Sequence, residues 1–410
     1  MGERRVAVTG AGVVSPVGTS LDAFHAALCD ARSGIGKLPA EVTQSSGVQV
    51  GALVDWDPAA LFKEAEAANL DRASQFALGA AGQAMASSGL DVADRRERVG
   101  VYWGTGMGGA TTLEGAYKQV YGAGEWRLRP LTVVMAMNNA AGSNIAVRHG
   151  LRGPFANFAT ACSSSAMALG EAMQAIMAGR ADAMVVGGSE ALLTPGTLAA
   201  WQALRTLAPA DGADAAASCK PFDKRRTGLV LGEGAAAFVL EDESLARARG
   251  ATILALLTGY GNSCDATHMS RPDREGQIRA MRQALVQAAL PPDAIGYINA
   301  HGTATAVGDV VEAEAINIAF GAAAAAIPVS STKSMHGHLL GGAGALEFAA
   351  ALMPLLRGVL PPTAYLAQAD PACKLRHVPG EAQRVTPPRA VMSNSFAFGG
   401  SNVALVAQRA

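Results

Sequence analysis

The chain has 410 residues and a formal net charge of −1. This near-balance argues against a nucleic-acid-binding protein, which usually carries a strongly basic face. Half of the residues are hydrophobic and 16% are charged, so the chain can bury a large core, and its length predicts two or three domains.

Strands and helices are predicted in alternation along the chain. The predicted strands cover residues 6–9, 99–103, 183–187, 235–240, 297–300, 328–330 and 391–394. The predicted helices cover residues 21–31, 75–88, 167–178 and 276–288. Apolar strands separated by helices predict parallel-rich sheets that are covered on both faces.

The first strand is followed by a glycine pair that could begin a dinucleotide-binding loop. Gly10 and Gly12 have the required spacing, but Ser15 stands where the third glycine would be. Because so short a pattern is weak evidence, we do not predict a nucleotide site.

The cysteine usage and the apolar runs predict a cytoplasmic protein. The five cysteines are odd in number and show no C-x-x-C spacing, so neither a zinc site nor a disulfide framework is predicted. The N-terminal sequence MGERRVAVTG lacks the apolar region of a signal peptide. The apolar run GALEFAAALMPLLRGVL is interrupted by Glu347 and Arg357, so no membrane span is predicted.

Residues 157–165, NFATACSSS, place Cys162 between an extended stretch and a predicted helix. The N–H groups and the dipole at a helix N-terminus favour a thiolate, and a thiolate at such a position indicates covalent catalysis. The alternative is a buried free cysteine that packs as a small hydrophobic residue.

Two histidine-containing segments have the glycine-rich character of loops. They are residues 299–309, NAHGTATAVGD, and residues 330–347, SSTKSMHGHLLGGAGALE. A lone histidine is more often structural, but two such segments together with a cysteine elbow favour a catalytic grouping. His336 and His338 lack a nearby third ligand, so no metal site is predicted.

With these motifs, and with VAVTGAGVVSPVG at 6–18 and NSFAFGGSNVALV at 394–406, the chain resembles the β-ketoacyl-acyl carrier protein synthases. These are the decarboxylating condensing enzymes of fatty acid and polyketide synthesis. The resemblance implies an α/β thiolase-type fold in a layered α-β-α-β-α arrangement. Its two similar halves would be residues 1–250, with the nucleophilic cysteine, and residues 251–410, with two catalytic histidines.

The resemblance also implies a role for each catalytic residue. Cys162 would carry the acyl group, and His301 and His338 would donate hydrogen bonds to the enolate that forms when a malonyl thioester loses CO2. The spacing STKSxxGH assigns the family histidine to His338, so we interpret His336 as incidental or pocket-lining. Lys333 would support the thiolate.

Further residues match supporting positions of the family. Glu347 would pair with the catalytic lysine, and Thr303 and Thr305 would hold the phosphopantetheine arm. Phe398 would gate the site, and its N–H would form an oxyanion hole with that of the cysteine. Ala397 replaces a glycine of the usual NSFGFGG, which narrows the accessible backbone conformations and predicts altered gate motion.

The acyl pocket is predicted to be unusual. Met107 matches a position that limits pocket depth, and Trp201 and Leu229 stand where phenylalanine is common. Each could equally be core packing, but together they suggest a specialised acyl substrate.

The implied partner is acyl carrier protein, which is acidic, and basic residues would steer its docking. Arg127, Arg129 and Arg205 are the candidates. No cofactor is expected beyond the phosphopantetheine of the carrier. The family also implies a dimer with an identical or a related ketosynthase-like chain.

Other condensing-enzyme classes fit less well. Thiolases have a second catalytic cysteine near the C-terminus, whereas Cys373 lies outside the glycine-rich C-terminal motif. Initiating ketosynthases use Cys-His-Asn, and here His338 fills the third place. Non-catalytic chain-length partners lack the nucleophile. Fatty acid elongation and a specialised polyketide or aryl-polyene pathway both remain open.

Overall fold

The structure is a computed structural model, and it describes residues 4–410. The strands are β1 (Val6–Val14), β2 (Ile35–Lys37), β3 (Val50–Ala52), β4 (Val99–Gly104), β5 (Phe155–Phe158), β6 (Ala183–Glu190), β7 (Gly234–Asp242), β8 (Ala255–Cys264), β9 (Ile295–Asn299), β10 (Pro328–Ser330), β11 (Val359–Leu360), β12 (Arg376–His377), β13 (Gln383–Arg384), β14 (Ala390–Phe396) and β15 (Ser401–Gln408).

The helices alternate with these strands for much of the chain. They are α1 (Leu21–Cys29), α2 (Ala40–Ser46), α3 (Glu64–Ala67), α4 (Arg72–Ser88), α5 (Ala110–Tyr117), α6 (Thr132–Ala136), α7 (Ala140–His149), α8 (Ser164–Met177), α9 (Pro195–Ala203), α10 (Glu243–Ala248), α11 (Arg274–Gln287), α12 (Gly308–Phe320), α13 (Lys333–His336), α14 (Ala343–Ala351) and α15 (Met353–Arg357).

Eleven strands form one mixed sheet in the order β12-β10-β9-β14-β15-β8-β1-β7-β6-β4-β5. The strands from β14 to β6 pair antiparallel, and the outer pairs are parallel. The prediction of a parallel-rich sheet is therefore wrong at the centre. Only residues 397–400 connect β14 to β15, which is far too short for the crossover that parallel neighbours require.

The sheet contains the same topology twice. From the outside inward, the first half runs β5-β4-β6-β7-β1. The second half lies inside the short edge strand β12 and runs β10-β9-β14-β15-β8. When the five strands of each half are numbered by their order in the chain, both halves run third, second, fourth, fifth, first. The two halves meet where β1 pairs with β8. This repeat confirms two similar α/β halves. The division at residues 250 and 251 stays a prediction, because the strands on either side of it belong to one sheet.

Helices cover and separate the two halves of the sheet. α8 and α14 contact each other and strands of both halves, and they supply much of the largest apolar cluster. α4 packs on the outer face of β1 and β7. On the opposite side α11 packs on β8 and β15, with α12 beside it. The layers are α-β-α-β-α, which confirms the thiolase-type arrangement.

The glycine pair after the predicted first strand lies inside β1. A Cβ atom at Gly10 would lie 2.1 Å from the carbonyl oxygen of Ala84, and one at Gly12 would lie 2.0 Å from that of Ala80. Both carbonyls belong to α4. The glycines therefore allow this helix to pack directly on the strand.

One helical stretch of the described chain, Leu340–Arg357, is long and apolar enough to cross a membrane, but 89% of it is buried inside the fold. It contains α14 and α15, so its apolar character belongs to the central layer of the core.

Candidate active site

Cys162 lies in a short turn between β5 and α8. A 3₁₀ turn covers Ala161–Ser163, and α8 begins at Ser164. The Ser164 hydroxyl accepts a hydrogen bond from the Thr160 N–H at 2.9 Å and donates one to the Ala161 carbonyl at 2.7 Å. Ala161 has a φ of +52°, a conformation that costs an alanine energy and is typical of functional turns.

The Cys162 side chain is buried, and this burial controls its protonation. Burial raises the pKa of the thiol to about 12, whereas the Lys333 ammonium and the N–H groups of Phe398 and Cys162 act to lower it. Removal from water therefore opposes the thiolate that the nearby positive charge and the N–H donors favour, and the thiolate stays a prediction.

His338 lies directly beside Cys162. Its Nε2 is 3.0 Å from the Cys162 Sγ, and its Nδ1 accepts a hydrogen bond from the Leu340 N–H at 3.3 Å. The backbone on both sides is fixed, since the His338 N–H donates to the Val230 carbonyl and the His338 carbonyl accepts from the Gly232 N–H. An acceptor at Nδ1 places the proton of the neutral ring on Nε2, facing the cysteine.

His301 approaches the same point from the second half of the sheet. Its ring centroid is 5.3 Å from that of His338. The Lys333 Nζ lies 3.3 Å from the His301 Nδ1 and 2.5 Å from the His301 carbonyl oxygen. Because an ammonium can only donate, Nδ1 accepts and Nε2 carries the proton here as well.

Both imidazoles are held neutral. Burial is the largest cause that lowers the pKa of His301 and of His338 well below the ordinary value, and the charge of Lys333 adds to it. Two neutral Nε2–H donors are what stabilisation of a developing enolate oxygen needs.

Lys333 forms a fully buried ion pair with Glu347 on α14. Burial raises the pKa of Glu347 to about 7, and the charge of Lys333 opposes that shift. A buried charge is costly unless it is paired, so this carboxylate allows an ammonium group to sit behind the histidines.

His336 is fully buried and does not line the cavity at the cysteine, so its interpretation as pocket-lining is wrong. Its Nδ1 donates to the Gly337 carbonyl at 2.8 Å, and its Nε2 accepts from the Thr332 hydroxyl at 3.0 Å. These bonds stabilise the turn at Gly337, where φ is +69°, directly before His338.

A cavity of about 320 Å³ connects these groups with the surface. Cys162, His301 and His338 line it. Thr303 and Thr305 line it as well, and their hydroxyl oxygens are 3.1 Å apart. The two hydroxyls offer hydrogen bonds along the passage, as a polar, flexible substrate arm requires.

The three predicted pocket residues have different surroundings. Leu229 is buried, lines the cavity and shares an apolar cluster with Cys162, and Trp201 packs against that cluster. Met107 is 48% exposed and lies outside the cavity. Its N–H, rather than its side chain, contacts the interior through Glu190, so Met107 does not limit pocket depth within a single chain.

Phe398 lines the cavity and stacks on Trp201, with ring centroids 6.0 Å apart and planes 28° from parallel. The Gly399 N–H donates to the Met269 carbonyl at 2.7 Å. Ala397 has φ −109° and ψ 153°, which any L-residue adopts without strain. Alanine therefore causes no strain in this conformation of the loop. The altered gate motion that Ala397 predicts would concern only other conformations of the loop.

The predicted docking arginines are separated in the fold. Arg205 lines the cavity, whereas Arg127 and Arg129 are exposed and do not. Arg129 donates to the Ala68 carbonyl at 2.8 Å.

Cys162, His301 and His338 also resemble a metal-ligand set, since their ligand atoms all lie within 4.8 Å of one another. The Lys333 ammonium, 3.3 Å from the His301 Nδ1, would repel a divalent cation. The arrangement fits a nucleophile with two hydrogen-bond donors better than a metal centre.

Two buried carboxylates of the site are not predicted by the sequence motifs. Glu312 accepts the N–H groups of His301 and Gly302 at 2.8 and 2.7 Å, and Glu190 binds the turns at 105–107 and 341. Each lies in a largely apolar run, AMVVGGSE or DVVEAEAINIAF. An acidic residue within such a run is the signal that could have identified them.

Comparison with known families gives two matches. The model of the β-ketoacyl synthase N-terminal domain matches residues 3–246, and that of the β-ketoacyl synthase C-terminal domain matches residues 254–367. Among curated relatives, the 3-oxoacyl-[acyl-carrier-protein] synthase 2 of Coxiella burnetii is 40% identical over 100% of this chain and 99% of its own length. That of Staphylococcus aureus strain N315 is 39% identical over 98% of each chain.

Solved structures show the same similarity. The ishigamide ketosynthase/chain length factor superposes with a TM-score of 0.92 at 32% identity, covering 100% of both chains. The AntDE:AntF structure contains a type II polyketide acyl-carrier protein in complex with its ketosynthase. It superposes with a TM-score of 0.91 at 30% identity, again over 100% of both chains.

Proposed function

The chain belongs to the β-ketoacyl synthase family, and from this premise we propose that it elongates acyl groups in fatty acid synthesis. The reaction is the condensation of malonyl-acyl carrier protein with an acyl group on Cys162, giving CO2 and a 3-oxoacyl-acyl carrier protein. The observation that carries the proposal is the convergence of one thiol and two neutral imidazoles, with His338 Nε2 3.0 Å from Cys162 Sγ.

The first half-reaction loads the enzyme. The Cys162 sulfur attacks the thioester carbonyl of the acyl-carrier protein, the bond to the pantetheine sulfur breaks, and the thiol proton ends on the released pantetheine. The N–H groups of Cys162 and Phe398 both act on the cysteine sulfur. They are therefore placed to donate to the oxyanion that forms on the attacked carbonyl.

The second half-reaction forms the new carbon–carbon bond. The malonyl thioester loses CO2, and the electron pair of the broken bond moves into an enolate whose oxygen accepts from the Nε2–H groups of His301 and His338. The enolate carbon attacks the acyl thioester, and the Cys162 sulfur leaves with its bonding pair and regains a proton. The imidazoles stabilise charge that appears only in this step, so they accelerate it.

We propose that no resident cofactor takes part and that the substrates enter on the phosphopantetheine of an acyl carrier protein. Thr303 and Thr305 would hold the arm within the cavity. Arg205 at the cavity would attract the acidic carrier by charge complementarity, with Arg127 and Arg129 as outer contacts. In the AntDE:AntF structure, a ketosynthase is bound to a carrier protein of this kind. A cytoplasmic location stays a prediction.

We further propose a dimer through the edge of the first half. β5 ends the sheet on that side, and Phe155 on it is 44% exposed. Exposed apolar residues also occur on and around α5 and α6, among them Tyr117, Tyr121, Val133 and Val134. Several exposed apolar residues beside a free sheet edge are typical of an interface with another chain. The partner is an identical chain or a related one, as in the solved pairs of a ketosynthase with its chain length factor. An active monomer in sedimentation at micromolar concentration would contradict the dimer.

A specialised polyketide or aryl-polyene ketosynthase is the second candidate. The structures of a type II polyketide ketosynthase and of two ketosynthases with a chain length factor are similar in fold at 28–32% identity. This is below the 38–40% of the 3-oxoacyl-[acyl-carrier-protein] synthase 2 relatives. The bulky Trp201 packs against the apolar cluster that contains Cys162 and Leu229, which favours an acyl substrate other than an ordinary fatty acyl chain. Intact-mass analysis of Cys162 after incubation with a panel of acyl-carrier proteins distinguishes the two. Loading of saturated acyl groups of graded length supports fatty acid elongation, and loading restricted to polyene or polyketide groups supports the alternative.

A further inference from the structure

Glu190 is a buried carboxylate that binds two separate turns. It is the last residue of β6, and its side chain is fully buried. Its Oε1 accepts from the Thr105 hydroxyl at 3.0 Å and the Met107 N–H at 3.2 Å. Its Oε2 accepts from the Gly106 N–H at 2.6 Å and the Gly341 N–H at 3.0 Å. One side chain therefore holds the loop after β4 and the loop that follows His338.

The two loops touch without room for any side chain between them. A Cβ atom at Gly341 would lie 2.1 Å from the Gly106 nitrogen, and one at Gly106 would lie 2.7 Å from the Glu190 Oε2. Unlike Lys333 and Glu347, Glu190 forms no ion pair within the described residues. Its charge is met by four neutral donors, so losing any of them leaves a buried group unsatisfied.

The loop anchored at Gly341 contains the N–H group that determines which ring nitrogen of His338 carries the proton. Leu340 has a φ of +44°, which is strained for a branched residue and needs support from its surroundings. Its N–H donates to the His338 Nδ1. Gly341, the next residue, is the one that Glu190 binds.

We propose that Glu190 is a positioning residue for decarboxylation. It holds the strained turn at Leu340 so that the Leu340 N–H keeps the His338 proton on Nε2, facing the enolate oxygen. Glu312 anchors the His301 turn in a comparable way, by accepting the N–H groups of His301 and Gly302. The proposal rests on the condensation described above and assigns Glu190 to its second half-reaction.

The test uses Glu190→Gln in the full-length enzyme. The amide oxygen can accept from only two of the four donors, and the amide NH2 faces the other two. Burial raises the pKa of Glu190 to about 7, so the assay is run at pH 8, where the carboxylate is ionised. The matched control is Glu241→Gln, because Glu241 is equally buried on β7. In the pairing of β6 with β7, Glu241 lies opposite Ala183, which is at the other end of β6 from Glu190. The control change is therefore made away from the two loops that Glu190 binds.

Two steps are measured for each variant, the loading of Cys162 by intact mass and the release of CO2 from malonyl-acyl carrier protein. For Glu190→Gln we expect loading within about threefold of the wild type and CO2 release reduced about tenfold or more, since small misplacements of catalytic groups cost this much. Glu241→Gln should leave the ratio of the two steps unchanged, whatever it does to the melting temperature.

An equal fall in both steps, or no fall in either, would overturn the positioning role. If Glu190→Gln does not fold, Thr105→Val carries the test, since it removes one of the four donors to the carboxylate. A selective loss of CO2 release supports the proposal, and unchanged CO2 release contradicts it. A wild-type enzyme that releases no CO2 would instead refute the proposed condensation.

Discussion

The two halves of the sheet repeat one strand order but carry different functional side chains in their equivalent loops. The loop after the third strand holds Cys162 in the first half, whereas in the second half it leads to Lys333 and His338. The loop after the second strand carries Met107 in the first half and His301 in the second. The fold therefore supplies equivalent loops, and the side chains alone distinguish the half that carries Cys162 from the half that carries the two histidines.

The surroundings of the two halves differ accordingly. Cys162 lies against an apolar cluster that includes Leu229, which suits an acyl chain. The histidines lie above a buried ammonium and carboxylate, Lys333 and Glu347. A nucleophile that accepts a fatty chain needs a dry pocket, whereas two histidines that must remain neutral need burial and a nearby positive charge.

The largest effect is expected for Cys162→Ser. A serine hydroxyl at this position is a far weaker nucleophile than a thiol, so condensation should fall by about a thousandfold or more. The acyl mass should vanish from the protein in intact-mass spectra. Persistent acylation at another residue of this variant would show that the first half does not supply the nucleophile.

The next largest effect is expected for His338→Ala. Removing one of two oxyanion donors should reduce CO2 release by about 10²- to 10³-fold, while Cys162 still accepts an acyl group. His336→Ala is the control and should be much milder, because His336 does not line the cavity. Normal CO2 release by His338→Ala would show that His338, and with it this part of the second half, takes no part in the decarboxylation.

A smaller effect is expected at the acyl pocket. Trp201→Ala should shift the preferred acyl length upward, because pocket volume changes discrimination by about 1–3 kcal/mol per methylene-sized difference. Met107→Gly is the comparison and should leave the profile unchanged, since Met107 is half exposed and lies outside the cavity. The measurement is kcat/KM across acyl-carrier proteins of graded length. A uniform loss of activity with an unchanged profile in Trp201→Ala would make Trp201 simple packing.

The smallest response is expected from acidification. The pKa values of His301 and His338 are lowered well below the ordinary value, mainly by burial, so both rings should remain neutral as the pH falls from about 8 to about 6, where an ordinary histidine is mostly protonated. Their imidazole C2–H resonances, assigned by comparison with His301→Ala and His338→Ala, should not show the downfield shift of ring protonation over this range. A titration of either ring near its ordinary value would show that the second half does not keep its donors neutral.

Much of the site was predictable because its motifs are local in sequence. The grouping of Cys162, His301 and His338 follows from three short segments, and most central strands and helices lie within a few residues of their predicted positions. β1 is longer than predicted, because Gly10 and Gly12 look like a loop in sequence but serve the close packing of α4.

What could not be predicted depends on contacts between distant segments. The burial of Cys162, which raises the pKa of its thiol, results from packing of both halves. Glu190 belongs to no local motif because its four donors come from residues 105–107 and 341, far from it in the chain. The outward direction of Met107 likewise follows from the loop conformation rather than from its motif.

The most direct test follows both half-reactions on one preparation of acyl-enzyme. Wild-type protein is loaded with an acyl group, freed of excess substrate, and mixed with malonyl-acyl carrier protein labelled with ¹³C in its free carboxyl group. Loss of the acyl mass from Cys162 and release of labelled CO2 should then proceed with the same stoichiometry, and in His338→Ala both should nearly stop while the acyl group stays on the enzyme. Transfer of the acyl group to product without release of labelled CO2 would contradict a decarboxylative condensation at this site.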